Sequence, residues 1–201
     1  MKIKQNFKKF WNFLKEDSWQ SWLVSLILVI ILIRFIFFPT LSLITGSSLP
    51  LVVVESCSMY HESSYEQWWS NNQILYLSHN ITKKQFDKFP FKNGLNKGDI
   101  VLVWGHSEVK KGDVIIFKPN EDSFAINPII HRAISINPIS TKGDHNSQQL
   151  TRDNNIQRLD ETNIPQEKVV GKAIFRVPLL GWVKLIFFEF FRTPEQRGFC
   201  R

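Results

Sequence analysis

A chain of 201 residues, 43% apolar and 21% charged, has room for one domain with a real core plus an appendage. That balance excludes a disordered chain and a wholly membrane-embedded one. A formal net charge of +7 raises nucleic acid as a partner. The basic residues are spread out, however, and no zinc-finger spacing or RNA-binding aromatic signature occurs, so no nucleic acid is expected.

The N-terminal stretch 1–18 holds Lys2, Lys4, Lys8, Lys9 and Lys15, with Phe7, Phe10, Trp11 and Leu14 at helical spacing between them. Such a segment suits an amphipathic helix lying on the inner face of a membrane. A membrane span with its linker is expected over 19–44. Its centre, "WLVSLILVIILIRFIFF" (22–38), is apolar except for Ser25 and Arg34. With Trp19, Gln20 and Ser21 it reaches the roughly 20 residues that cross a bilayer core. Arg34, near one end, is expected to carry its charge to the interface on its long stem. A cleavable signal peptide is the competing reading, since Thr45, Gly46, Ser47 and Ser48 follow, but its apolar region runs only about 7–15 residues. Five lysines precede the span and the next basic residue after Arg34 is Lys83. The positive-inside rule therefore puts the N-terminus in the cytoplasm and the chain from about 45 outside it.

A β domain is expected over 45–178. Strand patterns occur in "LPLVVV" (49–54), "GDIVLVW" (98–104), "GDVIIFKP" (112–119), "PIIHRAISI" (128–136) and "VVGKAIFRVP" (169–178). They are rich in β-branched residues and bounded by turn residues, which predicts a mainly β, sandwich- or barrel-like domain. Residues 60–93 interrupt the pattern with Tyr60, Tyr65, Trp68, Trp69, Tyr76, Phe86, Phe89 and Phe91. This insertion is either a subdomain with its own aromatic cluster or a surface that dips into the membrane interface. The tail 179–201 is apolar but too short for a second span, and suits a helix packed on the domain or lying in the outer interface.

The chemistry is sought at "ESCSM" (55–59), where a strand breaks into Ser56, Cys57 and Ser58. A hydroxyl becomes a useful nucleophile only beside a base and an oxyanion donor. Of five histidines, only His131 lies inside an apolar strand, where it is either a core residue or a desolvated base. His61, His106 and His145 lie in polar stretches and read as surface residues. Asp144, in the turn "STKGDHN" (140–146), is either turn chemistry or an acid that orients an imidazole. Cys57 and Cys200 make neither a metal site nor a disulfide framework and are expected to stay unbridged.

The order "ESCSM", "KKGDVIIF" (110–117), "HR" (131–132) and "TKGDHN" (141–146) resembles type I signal peptidases, in particular the archaeal and endoplasmic-reticulum branch. "VVGKAIFRVPLLGW" (169–182) resembles that family's last strand and the segment after it, whereas 60–93 has no counterpart in its common core. The resemblance implies an all-β catalytic domain on a single N-terminal anchor, and a serine endopeptidase that removes signal peptides at the outer membrane face. It implies Ser58 as nucleophile, His131 as general base, Asp144 as support for the histidine or the local fold, and Ser56 as oxyanion donor. Cys57 stands where the family usually has glycine. A further acid is usual five or six positions beyond the first, but here those positions are Gln149 and Leu150, and the nearest acid is Asp153. No cofactor or metal is implied. The implied partners are signal-peptide-bearing preproteins, membrane lipid and the export translocon, in the cell membrane or the endoplasmic reticulum membrane. The alternative is a membrane-tethered β domain that binds exported proteins without cutting them. A self-processing peptidase of the same fold is a third reading, weakened because such relatives use lysine where His131 stands.

Overall fold

The computed structural model describes residues 2–200, and the chain divides between Ile44 and Thr45 into two compact units. In the first, helix α1 (Lys2–Leu14) gathers Phe7, Phe10 and Trp11, and the Phe7 and Trp11 rings stack at 6.3 Å. The hydroxyl of Ser18 then caps α2 (Trp19–Leu32) by accepting from Ser21 N. A wide turn, Ile33–Phe37, leads into α3 (Phe38–Thr45). Pro39 accounts for that turn, because its ring has no N–H and collides with the carbonyl one turn back, so the helix opens to accommodate it. Together Trp19–Thr45 make 27 helical residues, long and apolar enough to cross a bilayer. At 1.5 Å per residue this is roughly 40 Å, against a hydrocarbon core of roughly 30 Å.

The second unit is built on one antiparallel sheet of six strands in the order β1-β2-β6-β3-β4-β5. These are β1 (Leu51–Val53), β2 (Ile100–Trp104), β3 (Val114–Phe117), β4 (Ile129–Ile136), β5 (Ile139–Lys142) and β6 (Val169–Val177). Strand β6 is the spine: its first half pairs with β3 and its second half with β2, with a register shift in each ladder. β2 alternates, burying Val101 and Val103 while Ile100, Leu102 and Trp104 are half-buried. β3 is buried on both faces: Val114 and Ile116 join one core with Val54, Met59 and Leu95, while Ile115 and Phe117 join another with Ala133, Leu159 and Ile164. That is why its sequence is an unbroken apolar run. β5 was not among the expected strands. It follows β4 through the two-residue turn Asn137–Pro138, which holds a cis peptide bond.

The expectation of an all-β domain is met in part. Every strand belongs to one antiparallel sheet, but α-helices and short 3₁₀ turns together cover about as much of the unit as strands do, so the expectation holds for the sheet and not for the unit as a whole. The insertion 60–93 carries much of that helix. Its aromatic residues recur at 65, 68, 69 and 76, a helical rather than a strand period, and form α4 (Tyr65–Ser78), capped by Ser64. The short α5 (Lys83–Phe86) follows, with a complete capping box between Thr82 and Gln85. Trp68, Trp69, Tyr76, Ile81 and Phe86 close around Ile134 of β4 as a third core. Of the two readings for this segment, core packing holds for these residues. Their rings meet at 5.0–6.4 Å, within the range in which aromatic pairs add about 0.5–1.5 kcal/mol each beyond burial.

Candidate active site

Strand β4 decides what reaches the site. Consecutive residues of a strand face opposite ways, so His131 and Arg132 serve different sides of the sheet. Arg132 turns into the aromatic core, where its guanidinium sits 4.7 Å from the Phe86 ring centroid and is wholly buried. It donates to Pro90 O, Gly112 O and Phe91 O at 2.9 Å each, and to the Asp144 carboxylate through Nη2 (2.7 Å) and Nε (2.9 Å). Asp144 also accepts from the Tyr76 hydroxyl (2.8 Å) and from His61 Nε2 (3.0 Å). Burial alone would raise the Asp144 carboxyl, but the Arg132 guanidinium and the His61 hydrogen bond hold it well below the usual carboxylate range. Burial pushes the Tyr76 hydroxyl well above its ordinary value, with the Asp144 charge adding to it.

Asp144 is therefore the anchor of Arg132, which is the local-fold role rather than the histidine-supporting one. His61, expected at the surface, is buried, with its ring stacked on Trp68 at 3.6 Å and 8°. Gly94 makes room for it: a Cβ there would lie 2.7 Å from His61 Cδ2 and 2.4 Å from Met59 O, and the residue has φ +75°. His106 and His145 are exposed, as expected.

On the other side of β4, His131 is 3% exposed and its Nδ1–H donates to the carboxylate of Glu161. Glu161 is wholly buried and fixed from several directions. It accepts from Thr141 Oγ1 and from Leu150 N at 3.0 Å each, while its backbone bridges Thr141 and Leu150. Gln149 Nε2 ties its carbonyl oxygen to that of Thr141. A carboxylate on Nδ1 fixes the tautomer and leaves Nε2 as the nitrogen that accepts a proton.

That Nε2 lies beside Gly143. A Cβ on Gly143 would lie 2.8 Å from His131 Nε2, 2.8 Å from Ser58 O and 2.7 Å from Asn146 Nδ2. The glycine thus leaves a gap between the imidazole and the backbone carbonyl of Ser58. Ser58 O also accepts from His145 N at 2.8 Å, which pins the turn to the loop after β5. The strand ends at Val53, and residues 56–59 form a bend and turn closed by Tyr60 N donating to Cys57 O. The Ser56 and Ser58 hydroxyls lie 3.1 Å apart.

Two expectations need correction. Cys57 and Cys200 are joined by a disulfide with Cα atoms 5.5 Å apart, because the tail returns to the serine turn across 143 residues of sequence. Cys57 consequently has no thiolate to act as a nucleophile. The acid beside His131 is Glu161 in "DETNIP", 17 residues after Asp144, whereas Asp153 sits exposed in the turn after Thr151. The only sequence signal for Glu161 is an acid set between Leu159 and Ile164, two residues that the core buries.

Lys142 is also buried, with its ammonium on Gly143 O (2.9 Å) and 5.2 Å from the Tyr76 ring centroid. Burial lowers it to about 8, aided by Arg132 and opposed by Asp144 and Glu161. Among the described residues, no group of three or more His, Cys, Asp or Glu side chains is placed to hold a metal ion.

No protein-family model matches the chain, and no curated protein matches it.

Proposed function

We propose that this protein is a membrane-anchored serine endopeptidase that cleaves signal peptides from exported preproteins. One observation carries the reading: a buried carboxylate, Glu161, holds His131 by Nδ1, and Nε2 lies beside Gly143, which the backbone carbonyl of Ser58 also adjoins. The resemblance of the ordered motifs to signal peptidases supports it from the sequence side. Ser58 Oγ attacks the scissile carbonyl while His131 Nε2 takes its proton, and the Glu161 carboxylate stabilises the imidazolium that forms. The Ser56 hydroxyl, 3.1 Å from Ser58 Oγ, donates to the developing oxyanion together with Ser58 N–H. His131 then returns the proton to the leaving amine, and water, deprotonated by the same nitrogen, releases the acyl group from Ser58. Asp144 acts at a distance, by locking Arg132 and so β4.

Strand β1 is an edge of the sheet, bonded on one side to β2, and it leads directly into the serine turn. An extended peptide added along it would meet Ser58 in register, which suits recognition of small side chains by shallow pockets. The long apolar helix supports an anchor. The disulfide suits an oxidising, extracytoplasmic side, in agreement with the lysines that precede the helix. Exposed Leu179, Leu180, Val183, Ile186, Phe187 and Phe190 support a tail lying in the lipid interface. Preproteins, lipid and the export translocon are the partners this reading implies.

The test is incubation of the detergent-solubilised protein with a preprotein, followed by N-terminal sequencing of the product. One cut after a small residue at the end of the signal peptide is expected. A preprotein bound but left intact would favour a tethered, non-catalytic β domain.

A further inference from the structure

The turn that carries Ser56 and Ser58 lies outside the sheet, and the C-terminal tail grips its upstream half. Glu55 Oε1 accepts from Lys184 Nζ and Glu55 Oε2 from Arg192 Nη2, while Glu55 O accepts from Arg192 Nη1, all at 2.9 Å. Asn127 adds a longer contact to Glu55 at 3.4 Å. Two residues on, Cys57 is joined to Cys200. The tail is itself held in shape. Glu189 binds Lys97 Nζ (2.8 Å) and Gly198 N (2.6 Å), and Lys97 Nζ also donates to Gln196 O (2.6 Å). Arg197 donates to Arg192 O and Phe190 O, and the Trp182 and Phe199 rings meet at 4.5 Å. Its start is seated on the domain through Gly181 N to Gly98 O and Trp182 Nε1 to Lys97 O.

The downstream half of the turn is held differently, by the domain itself: His145 N binds Ser58 O and Leu95 N binds Met59 O. The reacting hydroxyls thus sit between a fixed wall and a strap that the chain closes only at residue 200.

We propose that residues 182–200 are a positioning strap for Ser56 and Ser58, buckled by the Cys57–Cys200 disulfide, so that the reactivity of Ser58 depends on the buckle being closed. The inference rests on reading Ser58 as the nucleophile. Opening is a two-electron step: a dithiol reductant such as dithiothreitol supplies two electrons and two protons, leaves as its cyclic disulfide, and Cys57 and Cys200 become thiols. The hydroxyls then lose the covalent part of their upstream restraint, leaving Glu55 to its hydrogen bonds with Lys184, Arg192 and Asn127, while the His131–Glu161 pair, held by the sheet and the 143–168 loop, keeps its place.

The experiment combines amide hydrogen exchange with preprotein turnover, on the full-length protein in detergent. Wild type, wild type with dithiothreitol, Cys200→Ser and Arg192→Gln are compared. Exchange at 55–60 should rise about tenfold in reduced wild type and in Cys200→Ser, while β3 amides stay unchanged. The kcat should fall roughly 10²-fold with KM within about twofold, since misplacing a reacting group harms the transition state rather than binding. Reoxidation should restore wild type, Cys200→Ser should be indifferent to reductant, and Arg192→Gln should fall between. Unchanged exchange at 55–60 overturns the strap, and faster exchange with unchanged kcat overturns its positioning role. A wild type that cuts no preprotein at all would instead sink the peptidase reading, with exchange still deciding whether the strap exists.

Discussion

His131 Nδ1 donates to Glu161 on one side of β4, while its neighbour Arg132 binds Asp144 on the other. Two adjacent residues thus claim two different carboxylates, and the strand alternation forbids them to share one. This separates the roles of the acids cleanly.

Glu161→Gln should keep the fold and lose roughly 10³–10⁴ in kcat, because an amide on Nδ1 permits the wrong tautomer and no longer stabilises the imidazolium. Asp153→Asn should be close to wild type. Preprotein turnover with thermal melts as control reads both.

Asp144→Asn should instead lower the melting temperature, since it leaves the Arg132 guanidinium buried without its counter-charge, a loss of about 3–5 kcal/mol. The carboxyl of Asp144 is held below its ordinary value, so its contribution is present above the usual carboxylate range and lost on acidification. Urea titrations at pH 7 and near pH 3 should show a smaller acid loss in Asp144→Asn than in wild type. Equal slopes would dismiss Asp144 as the anchor.

Lys142 gives the opposite end of the pH scale. Its ammonium is lowered from 10.5 to about 8, so between those values the unfolded chain binds more protons than the folded one, and stability rises with pH. At 1.36 kcal/mol per unit the rise is about 3 kcal/mol at most. Denaturation midpoints measured at pH 7.5 and 10 should show this component in wild type and lack it in Lys142→Met.

Gly143→Ala should cut kcat by roughly 10²-fold, because the new methyl group would stand 2.8 Å from both His131 Nε2 and Ser58 O and must push them apart. A variant with normal turnover would mean that the imidazole does not work across that gap.

What the sequence disclosed was what local pattern can disclose. β1, β2, β3, β4 and β6 fall within the stretches expected from β-branched residues and turn boundaries, and the helix Trp19–Thr45 covers the apolar run. In the insertion the aromatic residues mark a cluster, and their helical spacing at 65, 68, 69 and 76 was a signal for α4 that the cluster reading passed over, while the four-residue α5 is too short to show a period. Glu161 was missed because its approach to His131 depends on the path of the long loop 143–168, which no spacing rule encodes. The bridge between Cys57 and Cys200 was missed for a related reason: it depends on a tail that Lys97, Glu189 and Trp182 hold against the domain far from it in sequence. Asp144 was linked to the imidazole by nearness in sequence, whereas Arg132 on the opposite face of β4 holds it.

The most direct measurement is the rate of preprotein cleavage by Ser58→Ala beside wild type, with melting temperature as control. Replacing one small side chain by another leaves the turn, its bond from His145 N and the Cys57–Cys200 bridge in place. The expected result is an unchanged melting temperature and a rate at least roughly 10³-fold lower, with any residue of activity coming from binding and the oxyanion donors. Turnover by a folded Ser58→Ala at close to the wild-type rate would contradict the account.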